Sequence, residues 1–473
     1  MTRTDAPSRL ERVVARLLEP VDVAWLAAFR VLYGLALAVS MWRFVANGWV
    51  ERFFVEPAFH FKYWGFEWVE PLSGPAMHGL FVALIGLALA IAAGLAFRLA
   101  APAFALGLTY VQLIDVSTYL NHYYLAALLG WLLACSPAHR AWSVDAWLGA
   151  RLRRGDPPTR TTGVARAWLL LFRFQVGVVY VFAGLAKAQP DWLLHAQPLR
   201  IWLGASTELP VVGPLLALPG VPLVMSWSGF LFDTTITGFL LAPRTRPWAF
   251  VVLLVFHSLT RALFPIGMFP VIMTIGALTF FSPSWPRRLL GRVRAGAAAA
   301  PDLRLAAVSS PGFAARAGLV LAALLALVEV ALPLRSLAYG GNVLWHEQGM
   351  RFSWRVMLRA KGGDTTFVVK ERATGRVAHV SPGVYLTGLQ ESEMTSQPDL
   401  VIQLARHIRA DLERHGRGSV AVHAASRVSL NGRKSAPFID PSVDLARVER
   451  SLDLRRIVLP APSEPPPHTR PVL

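Results

Sequence analysis

The sequence is poor in cysteine and in charged residues. Its 473 residues contain a single cysteine, Cys135, so no intramolecular disulfide can form and the fold does not depend on oxidation. Charged residues make up 16% of the chain, whereas ordinary soluble domains carry about 25%. A charge content this low excludes an ordinary soluble protein.

Lysine is the scarcer of the two strongly basic residues. Only five lysines occur among the 47 lysines and arginines, and Lys187 is the only one between Lys62 and Lys361. Three kinds of motif are absent as well: a Gly-Lys-Ser/Thr phosphate loop, a Gly-x-Ser-x-Gly nucleophile turn, and His, Cys or carboxylate residues at metal-ligand spacing. We therefore expect no P-loop nucleotide chemistry, no serine hydrolase of that type and no metal site.

Long apolar runs dominate the sequence. The chain is 54% hydrophobic, and several runs approach the roughly 20 residues that a helix needs to cross a bilayer. The predicted fold class is therefore mainly α, a polytopic transmembrane helical domain. The candidate spans are residues 21–45, 79–96, 100–115, 123–135, 165–186, 223–241, 248–263, 270–281 and 317–334. Because the third, fourth and eighth runs are short, we predict nine spans and leave eight open.

Arginines beside the apolar runs predict the orientation. The formal net charge is +18, but it is concentrated where positive residues set membrane topology, so nucleic-acid binding is not expected. The clusters assigned to the cytoplasm are Arg3, Arg9, Arg12 and Arg16; Arg140, Arg151, Arg153, Arg154 and Arg160; Arg244 and Arg246; and Arg287, Arg288, Arg292 and Arg294. The N-terminus is therefore predicted to be cytoplasmic and the C-terminal domain to lie outside.

The composition becomes that of a soluble domain from about residue 338. Residues 365–380 alternate about a Thr-Gly turn and predict a β-hairpin, residues 398–415 carry apolar side chains at helical spacing, and residues 419–430 predict a further strand. We divide the chain into a basic N-terminus (1–20), a transmembrane domain (21–337), an extracytoplasmic, β-rich α+β domain (338–455) and a Pro-rich tail predicted to be disordered (456–473).

Lys187 ends the apolar run of the fifth span, and two interpretations compete. In the first, its flexible side chain snorkels to carry the ammonium to the lipid headgroups. Arginine, the commoner cation of this chain, would serve that purpose equally well but stays protonated under working conditions. In the second interpretation, an apolar pocket keeps the lysine neutral, so that it can act as a general base.

Other polar groups are expected at the same, outer membrane face. Asn121 and His122 form a pair that could hydrogen-bond a ligand oxygen, although an interfacial or structurally satisfied histidine is the alternative. His257 lies inside a span, where an ionisable group is a functional candidate by default, unless it only bonds a neighbouring helix. The turn at 264–270 lies at the same face. The candidate cofactor-binding residues are His257, Phe264, Met268 and Phe269.

Nine blocks of the sequence carry a family resemblance. They are AAFRVLYG, YLNHYYL, AWSVDAWL, VYVFAGLAKAQPDW, FHSLTRALFPIGMFP, FSPSWPRRLL, GMRFSWRVML, VSPGVYLTG and PFIDPSVDLARV, in this order from about residue 20 to 450. Together they resemble the vitamin K-dependent γ-glutamyl carboxylase family and its bacterial relatives, which share the horizontally transferred transmembrane (HTTM) domain. The resemblance implies a multi-pass protein of the bacterial plasma membrane.

The resemblance also implies site residues and chemistry. It assigns the family's catalytic base to Lys187 and its Asn-His pair to Asn121 and His122, while Ser353 and Trp354 match the region near the glutamate site. Neutral Lys187 would deprotonate a vitamin K hydroquinone, here menaquinol, that arrives from the bilayer. The anion would react with O2, the product would remove a γ-proton from a glutamate side chain, CO2 would trap the carbanion, and the quinone would leave as an epoxide.

The sequence departs from the animal enzyme near the glutamate site. Met350 stands in place of an aromatic hydroxyl and Arg359 in place of a histidine. The sequence also ends at Leu473, without the long C-terminal extension that helps hold a substrate propeptide. These residues support quinol oxygenation better than peptide carboxylation. The alternative function is a non-catalytic quinone or lipid carrier or a membrane assembly protein, and the glutamate-containing substrate and oligomeric state stay open.

Overall fold

The computed structural model describes residues 8–152, 163–210, 212–293, 312–449, 451 and 453–467. Arg3, Arg153, Arg154, Arg160 and Arg294 of the predicted cytoplasmic clusters lie outside these residues. The helices of the N-terminal part are α1 (Arg9–Leu18), α2 (Ala24–Ala46), α3 (Gly74–Ala93), α4 (Phe97–Ile114), α5 (Asn121–Cys135), α6 (Val144–Leu152), α7 (Arg166–Lys187), α8 (Pro190–Leu193), α9 (Leu199–Gly204), α10 (Gly213–Leu216), α11 (Val221–Leu241), α12 (Arg246–Leu263), α13 (Phe269–Ala277), α14 (Trp285–Val293) and α15 (Phe313–Leu334).

Each predicted span coincides with one of these helices, so the mainly α prediction is confirmed. Within the described ranges, five helices are long and apolar enough to cross a membrane: Ala24–Ala46, Gly74–Ala93, Phe97–Ile114, Arg166–Lys187 and Phe313–Ala338. The helices α5 and α13 are shorter, with 15 and 9 residues. The number of nine crossings therefore stays a prediction.

The centre of the helical part is built around α2 and α7. Strands β1 (Pro20–Asp22) and β2 (Gly163–Ala165) pair antiparallel and set the starts of these two helices side by side. The ring of Phe172 then packs edge-on against Trp25 and Phe29, with centroids 5.5 and 4.8 Å away. The two helices therefore share an aromatic core, which fixes the position of α7 and of the lysine at its far end.

Arg30 joins α2 to the C-terminal end of α3. Its side chain is fully buried, and Nη1 donates to the carbonyl oxygens of Ile91 and Ala92 at 2.8 and 3.0 Å, while Nη2 donates to Trp142 O at 2.6 Å. A cation at a helix C-terminus satisfies the carbonyls that lack an intrahelical partner and complements the helix dipole. This arginine therefore holds the helices together rather than serving the site.

The C-terminal domain is a four-stranded antiparallel sheet covered by helices. Its helices are α16 (Val343–His346), α17 (Gly388–Ser396) and α18 (Pro398–Arg414), and its strands are β3 (Lys361–Glu371), β4 (Val377–Val380), β5 (Val420–Leu430) and β6 (Ala436–Pro437), in the spatial order β4-β3-β5-β6. The predicted hairpin, helix and strand are all present. The core of this domain continues into the helical part through Phe61, Trp192 and Phe264, so the two parts share one hydrophobic core at their junction.

The predicted disorder of the tail at 456–473 is wrong for its described part, which ends at residue 467. Val458 forms a β-bridge with Ile439, and the Leu459 carbonyl accepts a hydrogen bond from Trp345 Nε1 at 2.8 Å. The Glu464 carbonyl accepts another from Arg433 Nε at 2.8 Å. A Pro-rich segment keeps all its carbonyl acceptors, and here side-chain donors of the domain use them.

Candidate functional site

A close approach of two helices creates the candidate site. A Cβ on Gly184 of α7 would lie 2.8 Å from the backbone nitrogen of Thr234 and 3.0 Å from the carbonyl carbon of Asp233 on α11. Only glycine allows the two backbones to come this close. Because Gly184 lies one helical turn before Lys187, the approach brings the side chain of Asp233 to the last turn of α7.

Lys187 forms a buried ion pair with Asp233. Lys187 Nζ lies 2.7 Å from Asp233 Oδ2 and also donates to Ala183 O at 3.2 Å. The side chains are only 7% and 8% exposed, respectively. The ammonium group is therefore turned towards a carboxylate between the helices, which is not the geometry of snorkelling to the headgroups.

An apolar cavity surrounds this pair. It has a volume of about 220 Å³. We call it the lysine cavity, and its lining residues are Val179, Tyr180, Ala183, Lys187, Trp192, Leu199, Met225, Ser228, Gly229, Asp233, Phe256, His257, Leu259, Thr260, Phe264, Ile266, Phe269, Val356 and Met357. Most of these side chains are apolar, so the few polar groups stand out as the places where a ligand can form hydrogen bonds.

The second polar group of the lysine cavity is formed by Tyr180 and His257. Tyr180 Oη and His257 Nε2 are 2.7 Å apart, and His257 is buried. His257 Nδ1 is also buried and has no hydrogen-bond partner among the described residues. Tyr180 and Lys187 are two helical turns apart, about 10 Å along α7. The cavity therefore carries polar groups at both ends and apolar walls between them.

Trp192 covers the lysine cavity on the side of the C-terminal domain. Lys187 Nζ lies 5.2 Å from the centroid of its ring, a cation–π distance. Trp192 Nε1 donates to Ser226 O at 2.8 Å, and the Ser226 hydroxyl donates back to Trp192 O. The tryptophan is therefore tied to α11 and acts as a lid over the ion pair.

Two residues of the C-terminal domain bind Asp191, the residue next to the Trp192 lid. Asp191 receives two hydrogen bonds of 2.7 Å from Arg433 and one of 2.8 Å from Asn431 Nδ2. Burial alone would raise the pKa of the Asp191 carboxyl, but the hydrogen bonds from Arg433 and Asn431 outweigh it and keep that pKa below its usual value. This clamp connects the sheet of the C-terminal domain to the end of α7.

A second, polar cavity lies beside the lysine cavity. It has a volume of about 690 Å³. We call it the polar chamber, and its lining residues are Val116, Ser117, Tyr119, Leu120, Asn121, Trp202, Ala205, Ser206, Leu263, Phe264, Pro265, Ile266, Glu347, Met350, Arg351, Arg355, Met357, Leu358, Arg359, Glu393 and Gln397. Phe264, Ile266 and Met357 line both cavities, so an apolar wall of three side chains separates them.

Three arginines line the polar chamber, and they differ in their partners. Arg351 Nη1 lies 2.7 Å from a carboxylate oxygen of Asp399, and Arg359 Nε lies 3.0 Å from one of Glu347. Arg355 donates to Ser336 Oγ at 3.0 Å and has no carboxylate partner in the described part of the chain. Burial lowers the pKa of the Arg355 guanidinium, but arginine stays charged under working conditions. Arg355 is therefore a cation available to an anionic ligand.

The segment between the last helix of the bundle and the sheet has a strained backbone. Glu347, Phe352, Trp354 and Met357 all have positive φ angles, between 54° and 59°. Such angles are unfavourable for residues other than glycine and cluster at functional sites. This segment supplies the arginines of the polar chamber and one residue of its wall to the lysine cavity.

The structure separates the predicted Asn-His pair. Asn121 lines the polar chamber, where its Oδ1 accepts a hydrogen bond of 3.0 Å from Tyr119 Oη. His122 is buried and faces the turn at 264–270, because a Cβ on Gly267 would lie 3.2 Å from its Nε2. Lys187, Asn121 and the turn thus meet in one region, but His122 does not line either of the two cavities described above.

Some of the other predicted site residues line the lysine cavity and some do not. His257, Phe264 and Phe269 line the lysine cavity, whereas Met268 is buried in the core of the helix bundle and lines neither cavity. Ser353 and Trp354 are buried as well and line neither cavity; the ring of Trp354 stacks on Tyr124 with centroids 5.0 Å apart. These two residues anchor the segment whose neighbours face the polar chamber.

Comparison with protein families agrees with this architecture. The family model described as "HTTM domain" matches residues 18–285, which is more than half of the chain. The model described as "Vitamin K-dependent gamma-carboxylase, lumenal domain" matches residues 315–464. The chain belongs to the vitamin K-dependent gamma-carboxylase family. The resemblance seen in the sequence blocks is thereby confirmed, and the C-terminal domain of this gamma-carboxylase relative is extracytoplasmic. No solved structure matches the chain.

Membership in this family implies the use of vitamin K hydroquinone, O2 and CO2. The lysine cavity of this carboxylase relative fits the hydroquinone. Its walls suit an apolar ring, while the Lys187–Asp233 pair and the unpartnered Nδ1 of His257 suit hydroxyl groups at two ends of that ring. Sequence reasoning missed Asp233, although a lone acidic residue inside an apolar span is itself a signal of function. It also missed Arg355, for which the sequence carries no comparable signal.

Proposed function

We propose that this protein is a bacterial plasma-membrane enzyme, with its N-terminus in the cytoplasm, that couples oxygenation of a vitamin K-type hydroquinone, menaquinol, to carboxylation of a glutamate side chain. The observation that carries the proposal is the buried Lys187–Asp233 pair in an apolar cavity. When bound, the hydroquinone supplies the reaction with O2 from which the base for the glutamate γ-proton arises. The residues of the chain bind the reactants, accept a proton and exclude water.

Lys187 and Asp233 act together as the proton acceptor. The pair holds one proton between Nζ and Oδ2, which are 2.7 Å apart. It has no net charge whether that proton lies on the amine or on the carboxylate, and when the proton lies on the carboxylate, the neutral amine of Lys187 is the group that accepts the quinol proton. A proton accepted from a quinol hydroxyl would give the pair one positive charge. In an apolar cavity this charge would stabilise a negatively charged ligand oxygen strongly, because little water screens it.

Tyr180 and His257 orient the ring from the other end. Tyr180 Oη and His257 Nε2 are 2.7 Å apart, and the tyrosine hydroxyl donates this hydrogen bond if His257 carries its proton on Nδ1. Nδ1–H would then donate to the second ring oxygen. This arrangement leaves the hydroxyl at the Lys187 end to lose its proton.

The polar chamber is the place for the glutamate side chain. Arg355 offers its charge to the γ-carboxylate, and Asn121 adds a side-chain amide. Phe264, Ile266 and Met357 line both cavities, so a glutamate side chain in the polar chamber would lie next to the lysine cavity, with only movable side chains between them and with bulk water kept away. The substitution of Arg359 for the animal enzyme's histidine adds a cation that Glu347 neutralises.

Lys187→Arg tests the proposal. Arginine keeps the positive charge and the ability to pair with Asp233, but it stays protonated at any working pH. We expect a folded, correctly inserted protein without quinol-dependent O2 uptake. Near-wild-type O2 uptake by this variant would exclude Lys187 as the proton acceptor. Mass spectrometry of glutamate-containing peptides incubated with protein, menaquinol, bicarbonate and O2 then tests carboxylation separately through the mass gain of CO2.

A further inference from the structure

An apolar groove continues the lysine cavity along the outside of the helix bundle. It has a volume of about 430 Å³. We call it the seam groove because it lies between α11 and α12, and its lining residues are Ser228, Leu231, Phe232, Thr235, Ile236, Phe239, Thr245, Trp248, Ala249 and Val252. Leu231, Phe239, Trp248 and Val252 are exposed. In a membrane-spanning helix pair, such a groove opens towards the lipid.

The seam groove and the lysine cavity meet at two places. Ser228 is exposed and lines both. Phe232 of the groove stacks on Phe256 of the cavity, with centroids 3.8 Å apart and an angle of 17° between the rings. The boundary between the two spaces therefore consists of side chains and not of backbone. A chain attached to a ring in the cavity can leave beside Ser228 without breaking a helix.

The groove ends at the turn between α11 and α12, on the side predicted to be cytoplasmic. Thr245 Oγ1 donates to Phe239 O and Arg246 Nε donates to Leu240 O, both at 2.7 Å, so the turn between the helices is fastened to the end of α11. From Ser228 to Phe239 the groove follows α11 for about 16 Å, at 1.5 Å per residue. This length accommodates several isoprene units of an extended chain. On the opposite side of the cavity, the Trp192 lid and the C-terminal domain cover the way out.

We propose that the seam groove binds the polyprenyl tail of the hydroquinone whose ring occupies the lysine cavity, and that the quinol enters sideways from the bilayer between α11 and α12. This assignment rests on the proposed function. Its basis is the continuity of the two spaces at Ser228 and the closed lid on the other side. Because lipid chains are as apolar as the groove, the tail gains alignment and packing there and little transfer free energy.

Photochemical labelling tests the location directly. The probe is 2-methyl-1,4-naphthoquinone with a prenyl tail that carries a diazirine at its far end, photolysed with the protein in lipid nanodiscs. We expect adducts on residues 231–252, displaced by excess unlabelled prenylated naphthoquinone. Thr235→Trp fills the groove at an exposed lining position and should lower these adducts at least fivefold. Val255→Trp places the same ring on α12 at a 63% exposed position outside the groove, and it should leave the adducts unchanged.

Binding of the tailless ring separates the two possible failures. Radiolabelled 2-methyl-1,4-naphthoquinone should bind the wild type and Thr235→Trp equally, since the substitution does not touch the lysine cavity. If the ring binds but the adducts are spread evenly over the lipid-facing helices, or persist in Thr235→Trp, the tail assignment is overturned and the proposed function stands. If the wild type does not bind the ring, the proposed function falls and the tail assignment falls with it.

Discussion

The buried ion pair of Lys187 and Asp233 makes a prediction about stability that is independent of turnover. Lys187→Met removes the ammonium but keeps the length of the side chain, which leaves the Asp233 carboxylate buried without a counter-charge. The two side chains are 7% and 8% exposed. Breaking a buried pair by removing one partner typically costs about 3–5 kcal/mol. We therefore expect Lys187→Met to lower the free energy of unfolding by an amount in that range, and Asp233→Leu to do the same.

Replacing both partners should restore the stability. Substituting a buried pair by apolar residues of similar volume is often neutral or stabilising, by about 1–4 kcal/mol. The double variant Lys187→Met, Asp233→Leu is therefore expected to unfold at or above the wild-type temperature, well above either single variant. Lys434→Met makes the same chemical change at an exposed lysine and should alter stability by less than about 0.5 kcal/mol.

The assays are thermal unfolding and quinol-dependent O2 uptake on the same purified proteins. The expected result for the double variant is a stable, correctly inserted protein without O2 uptake, which separates catalysis from folding in one sample. Single variants as stable as the wild type would contradict the buried pair. A double variant with wild-type O2 uptake would contradict its role as proton acceptor, whatever its stability.

Three further predictions concern the clamp next to the lid, the helix approach at Gly184 and a buried lysine of the C-terminal domain. Arg433→Gln leaves the Asp191 carboxylate underpaired beside the Trp192 lid, so it should lower both the melting temperature and O2 uptake, with partial recovery in the double variant that also carries Asp191→Asn. Gly184→Ala should lower the free energy of unfolding by an overpacking penalty of about 1–3 kcal/mol, and with it the melting temperature, since its methyl group would meet the backbone of α11. The side chain of Lys361 is fully buried. This burial lowers its pKa from the ordinary 10.5 to about 8, although the nearby Glu347 carboxylate acts to raise it. The unfolded chain then binds the proton more tightly, so stability should rise relative to Lys361→Met as pH increases from about 8 to 10. Melting scans of both proteins across that window check the sign, and a falling difference would contradict it.

The sequence predicts the helices because crossing a bilayer demands long apolar runs, and it predicts the hairpin because the Thr-Gly turn interrupts an alternating pattern. The sequence points to Lys187 because lysine is scarce in this chain. Asp233 could not be paired with it, because the pairing depends on the approach of two helices at Gly184 across 46 residues of chain. The number of crossings is likewise undecided by hydropathy, since α11 carries Asp233 in the middle of its apolar run.

The direction of side chains was harder to predict than the helices. Asn121 and His122 are neighbours on a helix, and neighbours point about 100° apart, so one faces the polar chamber and the other faces Gly267. In the segment around Ser353 and Trp354, positive φ angles at Phe352 and Trp354 turn the backbone, so the matched residues are buried and the arginines face the chamber. Periodicity cannot predict an irregular segment of this kind.

The alternative of a quinone or lipid carrier depended on the broken turn at 264–270. A carrier places its site near the middle of the membrane, between helices interrupted there, so that the ligand can leave on either side. Here the turn follows the end of α12, next to the C-terminal domain, and its residues Phe264 and Ile266 form the wall between the lysine cavity and the polar chamber. The Trp192 lid is fastened both to α11 and, through Asp191, to the C-terminal domain. A fastened lid hinders passage across the membrane, whereas two adjoining cavities with only side chains between them suit a reaction in which two reactants are brought close together away from bulk water.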